Sequence, residues 1–366
     1  MKKVGIFTFH FSDNYGAVLQ CYALRHTINK MPGYQADIIN YNPGRKMGWY
    51  TEEVLQKRFL QKLEKYEAFN RDENGITEPA IYDINEFKQE DYDYFIVGSD
   101  QVWNTSFTFF HTTYLLDFVK GNQKRIAYAA SVGLDVNSPR MNRQVFEQNI
   151  PKFDALSVRE KTHEAFIQSF TDKKVTTVLD PTLLLTSADY DAMIGERTPE
   201  DMPKEDYIFF YYLKHDSTTP LACSFVNMLA RKYNLKIVHF YVEMPEQVFK
   251  NENQSFYFDG PKEFVSYIKH AKIVVTNSFH GTVFSILYHK PFYTYIVKSM
   301  RARVLDLLGE LQLTDRLMHG YRNLNDVSLD IDYTVAEQIL QKKRTESLQF
   351  LQDALLEEQN EKCCTE

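Results

Sequence analysis

The sequence predicts an α/β protein of two domains, each built on an open sheet, with its ligand site in the cleft where strands end. Three observations carry this reading. At 366 residues the chain is long for a single hydrophobic core. Short apolar runs alternate with stretches of helical spacing in both halves, which is the pattern of βαβ units. Polar segments recur where strands should finish, after Phe9, Val97, Ser157 and Val275. Ligands in open α/β sheets bind just outside the carboxyl ends of the strands.

The elements follow in order. Lys3–Phe9 (KVGIFTF) is β-branched, aromatic and apolar, a first strand. His10–Tyr15 is a loop, and in Gly16–Asn29 the residues Val18, Leu19, Tyr22, Ala23 and Ile28 share one helical face. Ala36–Tyr41 is the next strand, broken by Asn42-Pro43-Gly44. The segment 48–90 differs in texture and reads as a helical insertion. Within it Val54–Phe69 is amphipathic, with Lys57, Arg58, Lys62 and Lys65 beside Trp49, Phe59, Leu60, Leu63 and Tyr66. Such a helix either rests on an anionic membrane surface or packs by one face in water. Tyr92–Val97, Arg125–Ser131, Phe153–Ser157 and Lys174–Leu179 read as strands, and Lys161–Phe170 as a helix. The strands run into Gly98–Asn104, Gly133, Val158-Arg159-Glu160 and Asp180-Pro181.

Thr186–Glu205 is polar and holds two prolines, so the junction is placed there, dividing 1–190 from 205–330 and a tail, 331–366. The second domain opens with the strand Tyr207–Leu213. The helix Pro220–Tyr233, the strand Lys236–Tyr241 and the helix Pro261–His270 follow. Ile273–Val275 is then a buried strand, Thr276–Gly281 a polar turn, Thr282–Tyr288 a helix stopped by Lys290-Pro291, and Phe292–Tyr295 a strand. Helices over Arg303–Leu311 and Val335–Leu355 complete the chain.

Composition narrows the function. A net charge of −7 lacks the basic footprint that general nucleic-acid binding needs. No apolar run is long enough to span a bilayer, and Met1-Lys2-Lys3 leads directly into a strand. Cys21, Cys223 and the tail pair Cys363-Cys364 lack metal-ligand spacing and form no disulfide framework, which predicts a reducing cytoplasm. The basic helix adds the alternative of peripheral contact with the inner face of the membrane. With 24 Tyr and 27 Phe, the chain has aromatic rings enough for a sugar-contacting cleft as well as for its cores.

Two residues stand out chemically. His280 opens a helix directly after a strand, and Asn277 or Ser278 can cap that helix. The helix N-terminus offers free N–H groups to an anion, and its partial charge disfavours imidazolium, so His280 can accept a proton from a hydroxyl. Arg159 always carries charge and can grip a carboxylate or phosphate; the competing reading pairs it with Glu160 or a helix acid. Arg301 and Arg303 can reach the same anion from the second domain, or lie in solvent. Asp180-Pro181 reads as a strand end before the junction, with a catalytic role for Asp180 as the lesser alternative. No P-loop, GxGxxG fingerprint, HExxH or serine elbow is present.

Five motifs in order then carry a resemblance: Asn14–Gln20 (NYGAVLQ), Val97–Asn104 (VGSDQVWN), Ser157–Glu160 (SVRE), Asp180-Pro181 and Ser278–Gly281 (SFHG). Together they resemble the polysaccharide pyruvyl transferase family, from about residue 3 to about residue 316. The resemblance implies two Rossmann-like domains facing across a cleft, similar to the GT-B glycosyltransferases. It implies a transferase that moves the enolpyruvyl group of phosphoenolpyruvate onto two sugar hydroxyls, as a pyruvate ketal, and needs no cofactor beyond that donor. The acceptor would be a cell-surface polysaccharide or its lipid-linked precursor. Alternatives are a glycosyltransferase using a nucleotide sugar and a non-catalytic glycan-binding relative.

By this resemblance His280 transfers a proton at the donor and Arg159 binds the donor's anionic groups. Asn277, Ser278, Gly281, Thr282, Arg301 and Arg303 complete the donor side. Asn14, Tyr15, Gly16, Gln20, Ser99, Asp100, Gln101 and Trp103 form the acceptor side, with Tyr15 or Trp103 stacked on a sugar face. One departure is plain: several members carry arginine two residues before the histidine, where this chain has Ser278. Either Arg301 or Arg303 supplies the missing charge, or the donor sits differently.

Overall fold

Two six-stranded parallel sheets succeed one another along the chain in this computed structural model. It describes residues 1–42, 53–107, 110–196, 199, 202–213, 217–241, 254–257, 259–296, 301–320 and 326–356. The first half contains β1 (Lys2–Phe7), α1 (Tyr15–Asn29), β2 (Tyr34–Ile38), α2 (Glu53–Asp72), β3 (Tyr94–Val97), β4 (Lys124–Ala130), α3 (Arg143–Asn149), β5 (Ala155–Val158), α4 (Lys161–Gln168), β6 (Val175–Thr177) and α5 (Ser187–Ile194). The second contains β7 (Tyr207–Tyr212), α6 (Thr219–Tyr233), β8 (Lys236–Tyr241), β9 (Gln254–Tyr257), α7 (Pro261–His270), β10 (Ile273–Thr276), α8 (Phe279–Leu287), β11 (Phe292–Tyr295), α9 (Arg301–Glu310) and β12 (Leu317–Met318), and α10 (Thr334–Leu355) ends the fold.

The sheet orders are β2-β1-β3-β4-β5-β6 and β12-β11-β10-β7-β8-β9. The strand order of the first reverses between β1 and β3, that of the second between β7 and β10. Each reversal opens a crevice at the carboxyl ends of the flanking strands. Every strand pair is parallel, and β7 (YIFFYY) is buried at all positions, as strands covered on both faces by helices must be. The register slips between β4 and β5, where Ala129 takes φ +53°. Ser157 closes that slip: its Oγ accepts from Ala129 N and donates to Ala127 O.

Two sequence expectations change. The helix after β10 begins at Phe279 rather than Thr282, because Ser278 Oγ accepts from Gly281 N and starts the helix directly behind the cap. The expected junction Thr186–Glu205 contains α5, opened by a capping box in which Thr186 and Asp189 satisfy each other's backbone. The amphipathic helix packs by one face, the second of its two readings, and does so on the second domain. Leu63, Tyr66 and Phe69 of α2 are buried. Lys65 pairs with Asp259 and Glu263, and Glu73 with Lys262. Trp49 and the tail cysteines Cys363 and Cys364 lie outside the described residues, as do the side chains of Lys57, Arg58 and Phe59.

One hydrophobic cluster runs through both halves. Tyr15, Val18, Leu19 and Tyr22 of α1 pack with Tyr211, Phe240, Phe264 and Phe284. Tyr15 lies flat on Phe264, ring centroids 4.5 Å apart and planes 4° from parallel. The last helix returns to the first domain: Leu351 and Leu355 of α10 join Val4, Ile6, Ile38 and Tyr94. Tyr34 Oη donates to Leu355 O, and Leu179 N donates to Ser347 Oγ.

Candidate active site

The site forms where β3, β5 and β6 of the first domain end against the beginning of α8 in the second. Asp180 is its centre. It follows β6, caps the turn behind it by accepting from Thr182 N and Oγ1, and its side chain is fully buried. Its other oxygen, Oδ2, accepts from Ser99 Oγ at 3.0 Å and Arg159 Nη1 at 2.8 Å, and His280 Nε2 lies 3.5 Å away. That last distance is one for an ion pair, and it leaves the ring nitrogen without a hydrogen-bond partner. Burial alone would raise the carboxyl's pKa, but His280, the Arg159 guanidinium and Thr182 outweigh it and hold Asp180 far below the usual carboxylate range.

Arg159 is held from several sides. Its Nε donates to Glu160 Oε1 at 3.0 Å, its guanidinium carbon stands 4.9 Å over the Phe279 ring of the second domain, and Nη2 has no partner. Burial favours the neutral form, yet Glu160 and Asp180 together raise the guanidinium's pKa. Glu160 is lowered to about 2: burial opposes this, and Arg159 and His163 prevail. Glu160 also accepts from Ser131 Oγ at 2.9 Å and faces His163 Nδ1 at 3.1 Å. Arg159 is therefore ion-paired with Glu160, as the competing reading expected, and its Nη2 is left without a partner.

Arg303 lines the same cleft, with Phe279, Asp180 and Arg159. It is 7 % exposed. Burial, then the neighbouring Arg159, lowers its pKa, so two guanidiniums crowd one crevice. Among the described residues no carboxylate forms an ion pair with Arg303. The side chain of Arg301 lies outside the described residues.

His280 is closed in by the other domain. A Cβ on Gly16 would stand 1.9 Å from His280 Nδ1, so only glycine lets α1 approach the ring this closely. Gly16 follows Asn14, whose side chain accepts from Gly16 N and Ala17 N and caps α1.

The predicted residues thus divide. Arg159, Arg303, His280, Ser99 and Gly16 converge, and Asp100 faces Arg159 and Arg303 closely enough to act on their charges, while the Ser278 hydroxyl is taken up as the cap of α8. Asp100 adopts φ +71°, a conformation rare for a side-chain-bearing residue, which its carboxylate supports by accepting from Gln101 N. The remainder are spent within the fold. Asn277 Oδ1 accepts from Leu213 N, and Thr282 Oγ1 donates to Ser278 O and reaches Thr294 Oγ1. Gly281 packs on Thr276. Gln20 Nε2 donates to Thr8 Oγ1 and Ala17 O, and Gln101 Oε1 accepts from Asn104 Nδ2.

The sugar-stacking expectation fails for both aromatics. Trp103 is fully buried between Phe146 and Phe153, its Nε1 donating to Tyr114 O, because the segment after β3 folds inward as core. Tyr15 is fully buried against Phe264 and donates to Asp259 O, so it joins domains and shows no face to a sugar. Conversely, the sequence reading took Asp180 for a strand end and Glu160 only for a partner of Arg159, and it passed over His163. Asp-Pro after a strand was the available signal for Asp180; nothing local marked His163.

The family model described as polysaccharide pyruvyl transferase matches residues 14–299. No curated protein matches the sequence. Among solved structures, UDP-GlcNAc 2-epimerase from Neisseria meningitidis bound to UDP-GlcNAc is 13% identical with a TM-score of 0.51, over 98% of this chain and 95% of that one. UDP-N-acetylglucosamine 2-epimerase from Rickettsia bellii is 10% identical with a TM-score of 0.53, over 96% of each chain. At such identities the likeness is one of fold: two Rossmann-like domains facing across a cleft, the GT-B arrangement.

Proposed function

The chain belongs to the polysaccharide pyruvyl transferase family, and from that premise we propose that its cleft binds phosphoenolpyruvate and transfers the enolpyruvyl group to two hydroxyls of a glycan. The observation that carries the reading is the meeting of the domains at one carboxylate. Arg159 and His280 both reach Asp180 Oδ2, each with a buried nitrogen left unpartnered. A buried donor without an acceptor is costly, and a doubly anionic donor would satisfy it.

In this reading Arg159 Nη2 and Arg303 hold the donor's phosphate and carboxylate, and Arg303 stands in for the charge that Ser278 lacks. His280 passes a proton to C3, the first hydroxyl adds to C2, phosphate departs, and the second hydroxyl closes the ketal. Of the two hydroxyl protons lost, one ends on C3 and the other leaves with phosphate. Asp180 orients the imidazole and offsets its charge while the proton moves. Ser99, Asp100 and Gly16 border the acceptor side. The acceptor is a cell-surface polysaccharide or its lipid-linked precursor, met at the cytoplasmic face of the membrane. No helix among the described residues is long and apolar enough to cross a membrane.

Purified protein, phosphoenolpyruvate and a glycan-lipid acceptor should release phosphate and give a ketal methyl signal by NMR. His280→Asn should reduce the rate by about 10²-fold or more, as loss of a general acid does. Arg303→Met should raise the donor's KM. Arg159→Ala is a poor test, since it strands two buried carboxylates at roughly 3–5 kcal/mol. A ligand at a hundred times its Kd stabilises by about 2.7 kcal/mol. Thermal stabilisation by UDP-GlcNAc and none by phosphoenolpyruvate would overturn the reading.

A further inference from the structure

Lys62 is a buried ammonium without a counter-ion among the described residues. It lies on α2 and is 3 % exposed. Its Nζ sits 5.0 Å from the ring centroid of Tyr15 and 5.3 Å from that of Tyr66. Two aromatic faces attract a cation but satisfy none of its three N–H donors. Among the described residues no carboxylate pairs with it. Asp13 faces it from the exposed loop before α1 without reaching ion-pair distance, while Asp259 and Glu263 are held by Lys65. Tyr211 stands against the same Tyr15 ring, centroids 5.6 Å apart, and its buried hydroxyl has no hydrogen-bond partner. Burial lowers the Lys62 pKa, partly offset by Asp13, so the folded chain carries this charge at a cost.

The position gives that cost a purpose. Tyr211 lies at the carboxyl end of β7, beside the reversal point of the second sheet, and Tyr15 immediately precedes the glycine that touches His280. Lys62 does not line the crevice of Arg159 and Arg303. We propose that Lys62 and Tyr211 form a second oxyanion subsite, which takes a phosphoryl or carboxylate group carried by the acceptor next to the reacting sugar. Naming the acceptor as its source rests on the pyruvyl-transfer reading; the subsite itself does not.

Calorimetric titration of the full chain with inorganic phosphate, and separately with glucuronate, tests this without any turnover. At least one probe should bind wild type with a component that Lys62→Met weakens about tenfold or more, the usual worth of a charged hydrogen bond. Tyr211→Phe should weaken the same component and Lys62→Arg retain it, whereas Arg303→Met should leave it intact. The melting temperature of Lys62→Met should equal or exceed that of wild type, because no ion pair is broken. Response to phosphate alone identifies a phosphoryl group, and response to glucuronate a carboxylate. The subsite is refuted if folded Lys62→Met and Tyr211→Phe bind both probes as wild type does, or if wild type binds neither. Failure of phosphoenolpyruvate turnover would leave this result untouched.

Discussion

At Gly16 the two domains meet with no room for a methyl group. The residue lies within a helix, where alanine would ordinarily be favoured over glycine by about 1 kcal/mol. Here the added carbon would stand 1.9 Å from His280 Nδ1. Gly16→Ala should therefore reverse the helical preference, lowering stability by about 1–3 kcal/mol through overpacking and displacing the His280 ring. Denaturant melts with parallel activity assays would check both effects; an alanine variant as stable and active as wild type would show the contact to be soft.

Glu160 supplies a second test at this scale. Its folded pKa, about 2, lies below the ordinary glutamate value of 4.5. The sign follows from linkage: above pH 4.5 the ion pairs contribute fully, and between 4.5 and 2 the unfolded chain takes up the proton first, so stability falls with pH. The loss at this buried group is of order 3 kcal/mol. Asp180, depressed further, adds to the acid sensitivity at lower pH. Glu160→Gln should be less stable at pH 7 and lose much of the slope between pH 4.5 and 2 in urea melts.

Among the elements, α10 shows how far sequence position and spatial role can separate. It follows the second domain in the chain yet buries Leu351 and Leu355 against β1, β2 and β3. It also ties Arg344 Nε to Leu183 O beside the Asp180 turn. Leu351→Ala should cost about 2–5 kcal/mol, as truncations in packed cores do. Because Ser347 and Arg344 of the same helix fasten the segment around Asp180, activity should decline with stability. The length and amphipathic spacing of α10 were legible in the sequence. Its docking site was not, since an apolar stripe states that a face is buried without stating against what. The helix α5 was legible in principle: Thr186-x-x-Asp189 is a capping signal, overlooked among polar residues.

For the whole molecule, the cluster of α1, α2, α7 and α8 makes the domains one packing unit. Tyr15 on Phe264, Tyr190 on Phe284 and the Lys65 and Lys262 ion pairs all cross the boundary. Calorimetry should show one cooperative transition; two transitions, each assignable to one sheet, would mean that the shared cluster contributes little.

Taken alone, the sequence determined the periodic features: two α/β halves, the strand ends that carry polar loops, a helix cap at Asn277 or Ser278 and the motifs of the family. These are local, set by the spacing of apolar residues and by turn and cap chemistry within a few positions. It also marked Arg159 and His280, because a strand that runs into a charged turn is visible in a line of letters. Only the tertiary structure decided which polar residues face one another. It drew Asp180 to the centre, set Arg303 beside Arg159, and consigned Trp103, Tyr15 and Thr282 to packing. Burial and pairing between residues far apart in the chain depend on how separate elements dock, and no local pattern encodes that geometry.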